Sequence, residues 1–169
     1  MKYVALLRGI GPANPNMHQK KLVAVLEGLG FSNVKGVISS GNVVFESNSK
    51  DIKSLEDKIE KAWPKMLGFN STTIIRNQSQ LQALVEADPY KGVPHSRETY
   101  QLVTFFKNAP PETPNEGYFS VDGVNALCST VDTTDSKTPD FMNKLEKQFS
   151  KDITSRTWKT VERILQKME

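Results

Sequence analysis

A small group of polar residues in the first half of the chain has the chemistry of an anion-binding site. Arg8 follows an apolar run, residues 3–7, and an arginine at the end of a buried strand is unfavourable unless it reaches water or a partner. The other candidates are neutral hydrogen-bonding side chains in predicted loops: Asn14, Asn16, Ser39, Ser40, Asn42 and Asn70. One permanent cation, neutral donors and the free N–H groups of a helix start favour an anionic ligand. Asn and Ser are also ordinary turn residues, so a purely conformational role stays open.

A glycine-containing segment after the same apolar run matches a dinucleotide-binding turn only in part. Residues 9–14 read Gly-Ile-Gly-Pro-Ala-Asn, between a predicted strand and a predicted helix. Asn14 occupies the position of the third glycine, and the next predicted strand ends in serines rather than in an acid that would bind a ribose. The segment therefore predicts no nicotinamide or flavin cofactor, whereas an anion at a helix N-terminus needs no such fingerprint.

Residues that bind metals or act as nucleophiles are sparse. His18 and His95 are the only histidines, and neither stands at ligand spacing from a carboxylate or a thiol. Cys128 is the only cysteine, and its place in a predicted strand favours a buried, inert thiol. The sequence therefore predicts no metal site, assigns no catalytic residue and leaves open whether the protein is an enzyme.

The positive charge of the chain is concentrated in its first half. Residues 1–77 carry 11 lysines and arginines against 6 acidic residues, a net charge of +5, whereas residues 78–169 carry 11 against 13. A basic domain attracts phosphate-bearing partners, but most of these lysines fall on polar faces of predicted helices. RNA-recognition domains stack bases on aromatic residues of their central strands, and only Tyr3 and Phe45 are available here. Weak binding of nucleic acid is one hypothesis, and an ordinary solvated surface is its alternative.

The apolar pattern predicts that residues 1–77 form a ferredoxin-like βαββαβ sandwich within an α+β protein. The predicted elements are strands at 2–8, 33–39, 42–47 and 72–76 and helices at about 17–29, capped by Asn16, and from residue 50, where Pro64 should kink or end the helix. Two right-handed crossovers put both helices on one face and the strands in the order 4-1-3-2. The first strand then lies between the third and the fourth. The connections 9–16, 39–42 and 68–71 meet at one end of the sheet.

Residues 78–169 are predicted to form a second, smaller α+β domain. Its predicted elements are a helix at 78–87, a strand at 99–107, a hairpin around Asp122-Gly123 and helices from Pro139 and from about Ser155. Because strand, loop, hairpin and helix follow one another as in the first half, a degenerate repeat is one interpretation. Both faces of the first strand of the chain are apolar, so we expect the second half or a partner subunit to cover its second face.

The composition is that of a globular protein outside the membrane. With 37% hydrophobic and 24% charged residues the chain can form a core. The longest early apolar run has five residues, whereas a secretory signal needs about 7–15 and a membrane span about 20. We therefore expect no membrane association and a cytoplasmic location, which a single cysteine also fits.

Three short blocks resemble one bacterial family. They are Leu-Leu-Arg-Gly-Ile at 6–10, Ile-Ser-Ser-Gly-Asn-Val-Val-Phe at 38–45 and Ile-Thr-Ser-Arg-Thr-Trp-Lys-Thr-Val at 153–161. On these blocks nearly the whole chain resembles the bacterial domain of unknown function 1697 family. The resemblance implies a ferredoxin-like first part and carries no catalytic residues across. Residues 9–16 depart from the family's usual Gly-Ile-Asn-Val-Gly-Gly block, so we expect a ligand common to the family to be held differently here or not to be bound at all.

Two functional hypotheses from different classes follow. The favoured one is a non-catalytic cytoplasmic protein that binds a small anionic or nucleotide-like ligand, or a nucleic acid. The alternative is a metal-independent enzyme that acts on a small anionic substrate through loops of the first domain. A structural role in a homo-oligomer is compatible with the doubly apolar first strand. The scarcity of acid–base groups favours binding over catalysis.

Overall fold

The computed structural model describes residues 1–8, 14–38, 41–94, 96, 98–112, 116–132, 134, 138–149 and 151–169. Within these residues the chain is an α+β protein with two four-stranded antiparallel sheets and five α-helices. None of these described helices has the length and apolar character that crossing a bilayer requires. The chain divides into two units, Met1–Ser79 together with Arg163–Glu169, and Gln80–Glu162.

The first sheet is built around the first strand of the chain. Its strands are β1 (Lys2–Leu7), β2 (Ser32–Gly36), β3 (Asn42–Glu46) and β4 (Thr73–Asn77), in the order β2-β3-β1-β4. β1 pairs antiparallel with both of its neighbours, and Tyr3 lies opposite Phe45 on one side and Asn77 on the other. The position of β1 between β3 and β4, which the sequence predicts, is therefore confirmed.

Two amphipathic helices, α1 (Gln19–Gly28) and α2 (Ile52–Leu67), pack on one face of this sheet. Burying a leucine-sized side chain stabilises the fold by roughly 1.5–3 kcal/mol. Asp51 caps α2 by accepting a hydrogen bond from the Ser54 N–H at 3.1 Å, and Gly68 ends it with a φ of 73°. The shared core includes Tyr3, Ala5 and Leu7 of β1, Leu22 and Leu26 of α1, Val43 and Phe45 of β3, Leu55, Ile59 and Trp63 of α2, and Ile75 of β4.

The starts and ends of these helices bear on two predictions. A 3-10 turn, Pro15–Met17, precedes α1. Asn14 caps this turn by accepting a hydrogen bond from the Asn16 N–H. Asn16 does not cap α1, because the fixed φ of Pro15 starts a separate turn and α1 begins after His18. Of the two outcomes predicted at Pro64, a kink or an end, the helix does not end there: α2 continues to Leu67, and the neighbouring Trp63 is fully buried and anchors this part of the helix.

The outer edge of β4 is covered by two glutamates of α2. The Glu56 carboxylate accepts a hydrogen bond from the Ile75 N–H at 3.0 Å, and the Glu60 carboxylate accepts one from the Thr73 N–H at 2.9 Å. Residues four apart lie on one face of a helix, and residues two apart on a strand point their N–H groups in the same direction. The two periodicities match here, so α2 satisfies backbone donors that the end of the sheet would otherwise leave exposed.

The second sheet repeats the strand order of the first. Its strands are β5 (Thr99–Phe106), β6 (Tyr118–Phe119), β7 (Ala126–Asp132) and β8 (Ile153–Thr157), in the order β6-β7-β5-β8. α4 (Thr138–Phe149) buries Leu145 against Phe106, Leu127 and Ile153. The remaining helices follow edge strands directly: α3 (Gln78–Glu86) after β4 and α5 (Trp158–Met168) after β8.

Two features of the second sheet differ from the sequence prediction. The last helix begins at Trp158 rather than near Ser155, because Ile153–Thr157 pairs with β5 as a strand. The hairpin around Asp122-Gly123 forms, but a 3-10 turn at Val121–Gly123 lengthens its connection beyond a two-residue turn. The first difference arises because pairing between distant segments overrides a local capping signal.

Both faces of β1 are buried within the single chain. Tyr3, Ala5 and Leu7 belong to the helix-covered core, and Val4 and Leu6 on the opposite face are also fully buried. Covering the second face therefore requires no partner subunit.

Candidate functional site

Three connections of the first unit are joined by hydrogen bonds near the end of β1. The Leu7 N–H donates to the Gly41 carbonyl at 2.9 Å, and the Arg8 N–H donates to the Thr72 carbonyl at 3.0 Å. The Asn16 side chain donates to the Leu67 carbonyl at 2.8 Å. The exit of β1, the end of the β2–β3 connection and the segment before β4 are thus neighbours.

Arg8 lines a cavity of about 330 Å³ at this end of the sheet. The side chain is half-buried where β1 leaves the sheet. We call this space the Arg8 cavity; its lining residues are Arg8, Glu60, Asn70, Ser71 and Thr72. It combines the Arg8 guanidinium with the Asn70 amide and the Thr72 hydroxyl, which are hydrogen-bond donors suited to the oxygens of an anion.

The backbone of Arg8 is held in place by Ser71. The Ser71 hydroxyl accepts a hydrogen bond from the Arg8 N–H at 3.0 Å and donates one to the Arg8 carbonyl at 2.6 Å. Behind it, the Trp63 indole donates to the Thr73 hydroxyl at 2.9 Å, and that hydroxyl donates to the Ser71 carbonyl at 3.2 Å. This chain of hydrogen bonds from α2 through β4 fixes one wall of the Arg8 cavity.

Glu60 brings a negative charge to the same cavity. Its carboxylate accepts the hydrogen bond from the Thr73 N–H, beside Thr72 of the lining. The cavity therefore contains both a guanidinium and a carboxylate, and it is not simply a basic pocket.

The other predicted site residues serve the local fold. The Asn14 side chain accepts from the Asn16 N–H at 3.0 Å. Asn16 itself bonds the Leu67 carbonyl and accepts from the Lys21 ammonium at 2.7 Å. Asn42 is buried and donates to the Val37 carbonyl at 3.3 Å. Of the described candidates, Arg8 and Asn70 line the cavity, whereas Asn14, Asn16 and Asn42 do not. Ser39 and Ser40 lie outside the described residues.

Three cavity residues were absent from the sequence prediction. Ser71 is the last residue of the predicted connection 68–71 but was not chosen as a site residue, and Thr72 directly follows it. Glu60 stands four residues after Glu56 on α2, and Glu56 lies between the apolar residues Leu55 and Ile59. The place of Glu60 at the border of this apolar face was the feature of the sequence that could have indicated a role in the site.

A second cavity of about 220 Å³ in the first unit contains three lysines, Lys2, Lys35 and Lys167. Glu46 and Glu169 line it as well. The Lys2 ammonium donates to the Glu169 carbonyl at 3.0 Å, just after the end of α5. Lysines near a helix C-terminus compensate its partial negative charge, which accounts for Lys2 without a ligand.

Groups suited to metal or covalent chemistry are not assembled in the described part of the chain. There, no three His, Cys, Asp or Glu side chains cluster as metal ligands. Burial raises the pKa of the Cys128 thiol to about 12, so the thiol stays protonated at neutral pH and is a poor nucleophile.

The aromatic rings of the first sheet lie in its core. Tyr3 and Phe45 are buried on the helix-covered face, with ring centroids 5.6 Å apart, and Phe31 packs on Phe45 at 4.7 Å. These rings offer no exposed surface on which a nucleic acid base could stack.

Comparison with known proteins identifies a family of unknown function and a similar solved structure. The model of a family described as protein of unknown function (DUF1697) matches residues 1–123. Among solved structures, a conserved bacterial protein from Streptococcus pneumoniae is similar over 99% of this chain and 98% of its own, with 20% identity and a TM-score of 0.63. At that identity the likeness shows the fold alone. No curated protein sequence matches the chain significantly.

Proposed function

Because the chain belongs to the DUF1697 family of proteins of unknown function, we propose its role from the geometry of the Arg8 cavity: it binds a small anionic ligand there and does not transform it. One observation carries the proposal. Arg8 stands at the end of a buried strand, and its backbone is held by Ser71 and Thr72. Its guanidinium is a permanent cation with five N–H donors. The Arg8 backbone is therefore fixed before a ligand binds, so the ordering entropy lost at Arg8 is chiefly that of the side chain.

The neighbouring groups support an oxygen-rich ligand. Asn70 is exposed and Thr72 is half-buried, and both line the cavity beside Arg8. An amide and a hydroxyl donate to carboxylate or phosphate oxygens, and Arg8 supplies the bidentate pair that such groups favour. A volume of about 330 Å³ lies at the small end of the range for ligand pockets, so a metabolite fits better than a macromolecule.

Titration of the full-length protein by NMR tests this proposal. Inorganic phosphate, nucleotides and small carboxylates should each be added while backbone amide shifts are followed. We expect shifts concentrated at Arg8, Gly41 and residues 70–73, and we expect Arg8→Ala to stay folded but lose them.

Lys35→Gln is the matched control, because it removes one positive charge from the lysine-lined cavity instead. It should leave the binding unchanged. Shifts scattered over the surface, or binding that depends on Lys35 rather than on Arg8, would overturn the proposal.

A metal-independent enzyme is the second candidate, and the Glu60 carboxylate in the cavity is the observation that favours it. A carboxylate beside a bound substrate can transfer protons. Prolonged incubation with each ligand that binds, followed by mass spectrometry, distinguishes the two: an unchanged ligand supports binding alone, and a product that disappears in Glu60→Gln supports catalysis.

The proposal also includes a description of the architecture. We propose that residues 1–77 form a ferredoxin-like domain and residues 78–169 a second α+β domain, a degenerate repeat of the first. The order β2-β3-β1-β4 with α1 and α2 on one face supports the first part, and the order β6-β7-β5-β8 supports the second. We place the protein in the cytoplasm, where its single cysteine would remain a thiol.

Nucleic acid and homo-oligomer partners receive less support. With Tyr3 and Phe45 in the core, nucleic acid binding would depend on charge alone. Because both faces of β1 are buried within one chain, the main reason for expecting a subunit interface no longer applies.

A further inference from the structure

The Arg8 cavity contains two opposite charges whose positions are set by different elements. Arg8 is placed by the end of β1 through Ser71 and Thr72. Glu60 is placed by α2 and by its hydrogen bond from the Thr73 N–H at 2.9 Å. A carboxylate held in this way by the edge of the sheet cannot turn away from the cavity without leaving a backbone donor unsatisfied.

The two charges have opposite effects on a simple anion. The guanidinium attracts it, and the carboxylate that lines the same space repels it. A ligand that is only anionic therefore loses to Glu60 part of the stabilisation that it gains from Arg8, by an amount set by its distances to the two groups. A ligand that carries an ammonium group as well turns the repulsion at Glu60 into a charge-assisted hydrogen bond.

We propose that the Arg8 cavity selects small zwitterions, in which an anionic group faces Arg8 and a primary ammonium group faces Glu60. This inference rests on the proposed function, because it assigns the ligand class of the same cavity. Aminoalkyl phosphates and amino acids have the required chemistry. The anionic group is the shared element, and the ammonium group is the element that confers selectivity.

The experiment compares two probes that differ chiefly in the ammonium group, phosphoethanolamine and ethyl phosphate. Isothermal titration calorimetry on the full-length protein at low ionic strength measures both. We expect phosphoethanolamine to bind on the order of tenfold more tightly, the effect of one charge-assisted hydrogen bond. In Glu60→Gln, whose amide oxygen can still accept from the Thr73 N–H, this preference should disappear.

Glu56→Gln is the matched control. Glu56 stands one turn earlier on α2 and accepts from the Ile75 N–H in the same way, but it does not line the cavity. This variant should keep the tenfold preference. A melting curve for each variant verifies that the fold is intact, and the comparison of the two probes on the unmodified protein decides the question even if Glu60→Gln does not fold.

The results separate this inference from the proposed function. If neither probe binds, the proposed anion site itself is wrong. If both bind equally well to the unmodified protein and both are lost in Arg8→Ala, the anion site stands and the zwitterion inference is overturned. A preference that survives in Glu60→Gln but is lost in Glu56→Gln would also overturn it.

Discussion

At the scale of single residues, the position of Arg8 depends on one hydroxyl group. Ser71 is buried and bonds both the N–H and the carbonyl of Arg8. In Ser71→Ala the Arg8 carbonyl loses this donor, whereas the Arg8 N–H keeps its bond to the Thr72 carbonyl at 3.0 Å. We expect the free energy of unfolding to fall by about 1–3 kcal/mol, the usual effect of removing a hydrogen-bond partner from a buried polar group. Urea unfolding followed by circular dichroism measures it.

Asn70→Ala serves as the control for this prediction. Asn70 lines the same cavity one position earlier in the chain, but its side chain is exposed. Its loss should change stability by less than about 0.5 kcal/mol. Equal effects of the two substitutions would show that the Ser71 hydroxyl does not hold Arg8.

The Cys128 thiol makes stability depend on pH in the alkaline range. Burial raises its pKa from the ordinary 9.0 to about 12, and burial also raises the pKa of the neighbouring Tyr90 hydroxyl. Below pH 9 the thiol is protonated in the folded and unfolded states and has no effect on the pH dependence. Between pH 9 and 12 the unfolded chain loses this proton first, so stability falls as pH rises, by at most about 1.4 kcal/mol per pH unit from this group.

Cys128→Ser removes this titration and keeps a polar group beside Tyr90. Unfolding midpoints in urea at pH 8, 9 and 10 should fall less steeply for the variant than for the unmodified protein. Parallel slopes would mean that the thiol is as easily ionised in the folded chain as in the unfolded one.

The sequence predicted only part of the site at this scale. Arg8 was recognisable because a charged residue directly follows five apolar ones, and Asn70 because it lies in a loop at the same end of the sheet. Glu60 had only the signal of its place at the border of the apolar face of α2, which does not distinguish a glutamate that faces solvent from one that the contact with Thr73 turns toward the cavity. Asn42 was assigned to the site, but its buried amide stabilises the β2–β3 connection through Val37.

At the scale of elements, the close contact between the backbone just before β6 and Cys128 of β7 requires a glycine. Gly117 has a φ of 73°, its carbonyl accepts from the Cys128 N–H at 2.7 Å, and a Cβ atom there would lie 2.3 Å from the Cys128 carbonyl oxygen. In Gly117→Ala the backbone must therefore shift and the β6–β7 pairing must loosen. We expect a loss of more than about 2 kcal/mol of stability, measurable as a lower thermal midpoint.

Gly92→Ala is the matched control for the backbone conformation alone. Gly92 has a similar φ of 77°, but no atom lies within 4 Å of the place that a Cβ atom would occupy there. This variant should lose only the roughly 1–2 kcal/mol that a left-handed conformation costs an L-residue. If Gly117→Ala were no more harmful than Gly92→Ala, the close contact with Cys128 would be unimportant.

The elements of the first unit were predicted better than those of the second. Clear helical stripes and short β-rich runs separated by glycine indicated β1 to β4 and both helices. β8 was missed because Ile153–Thr157 is rich in Ser and Thr, which also cap helices, and because it runs into α5 without an intervening turn. Only its pairing with β5 shows that this segment is a strand and not the first turn of a helix. A pairing between distant segments cannot be read from a local sequence pattern.

At the scale of the whole molecule, the two sheets correspond beyond their strand order. The last strand of each runs directly into a helix and has an arginine before its final residue, Arg76 in β4 and Arg156 in β8. Each arginine donates to the carbonyl of the preceding residue, at 2.7 and 2.8 Å, and each stands opposite a valine, Val4 or Val103. These matches support the proposed repeat, although the described residues between β5 and β6 contain no counterpart of α1.

Electrostatic attraction is the remaining interaction by which this protein would bind a nucleic acid. Residues 1–77 have a net charge of +5, and the core position of Tyr3 and Phe45 leaves no stacking surface on them. Any binding should therefore be weak, independent of sequence and strongly reduced by salt. Fluorescence anisotropy with two single-stranded RNAs of different sequence should give equal, weak affinities at about 50 mM salt. Tight binding to one sequence, or no binding to either, would contradict this hypothesis.

The hydrogen bonds of the α2 glutamates also bear on strand pairing between folded molecules. A bare sheet edge recruits strands from neighbouring molecules and can seed fibrils. On β4, the N–H groups of Thr73 and Ile75 are already occupied by carboxylates of the same chain. A foreign strand would have to displace two charged acceptors before it could form its first hydrogen bonds. α2, which supplies Glu60 to the candidate site, thus also opposes the addition of a foreign strand at the outer edge of β4.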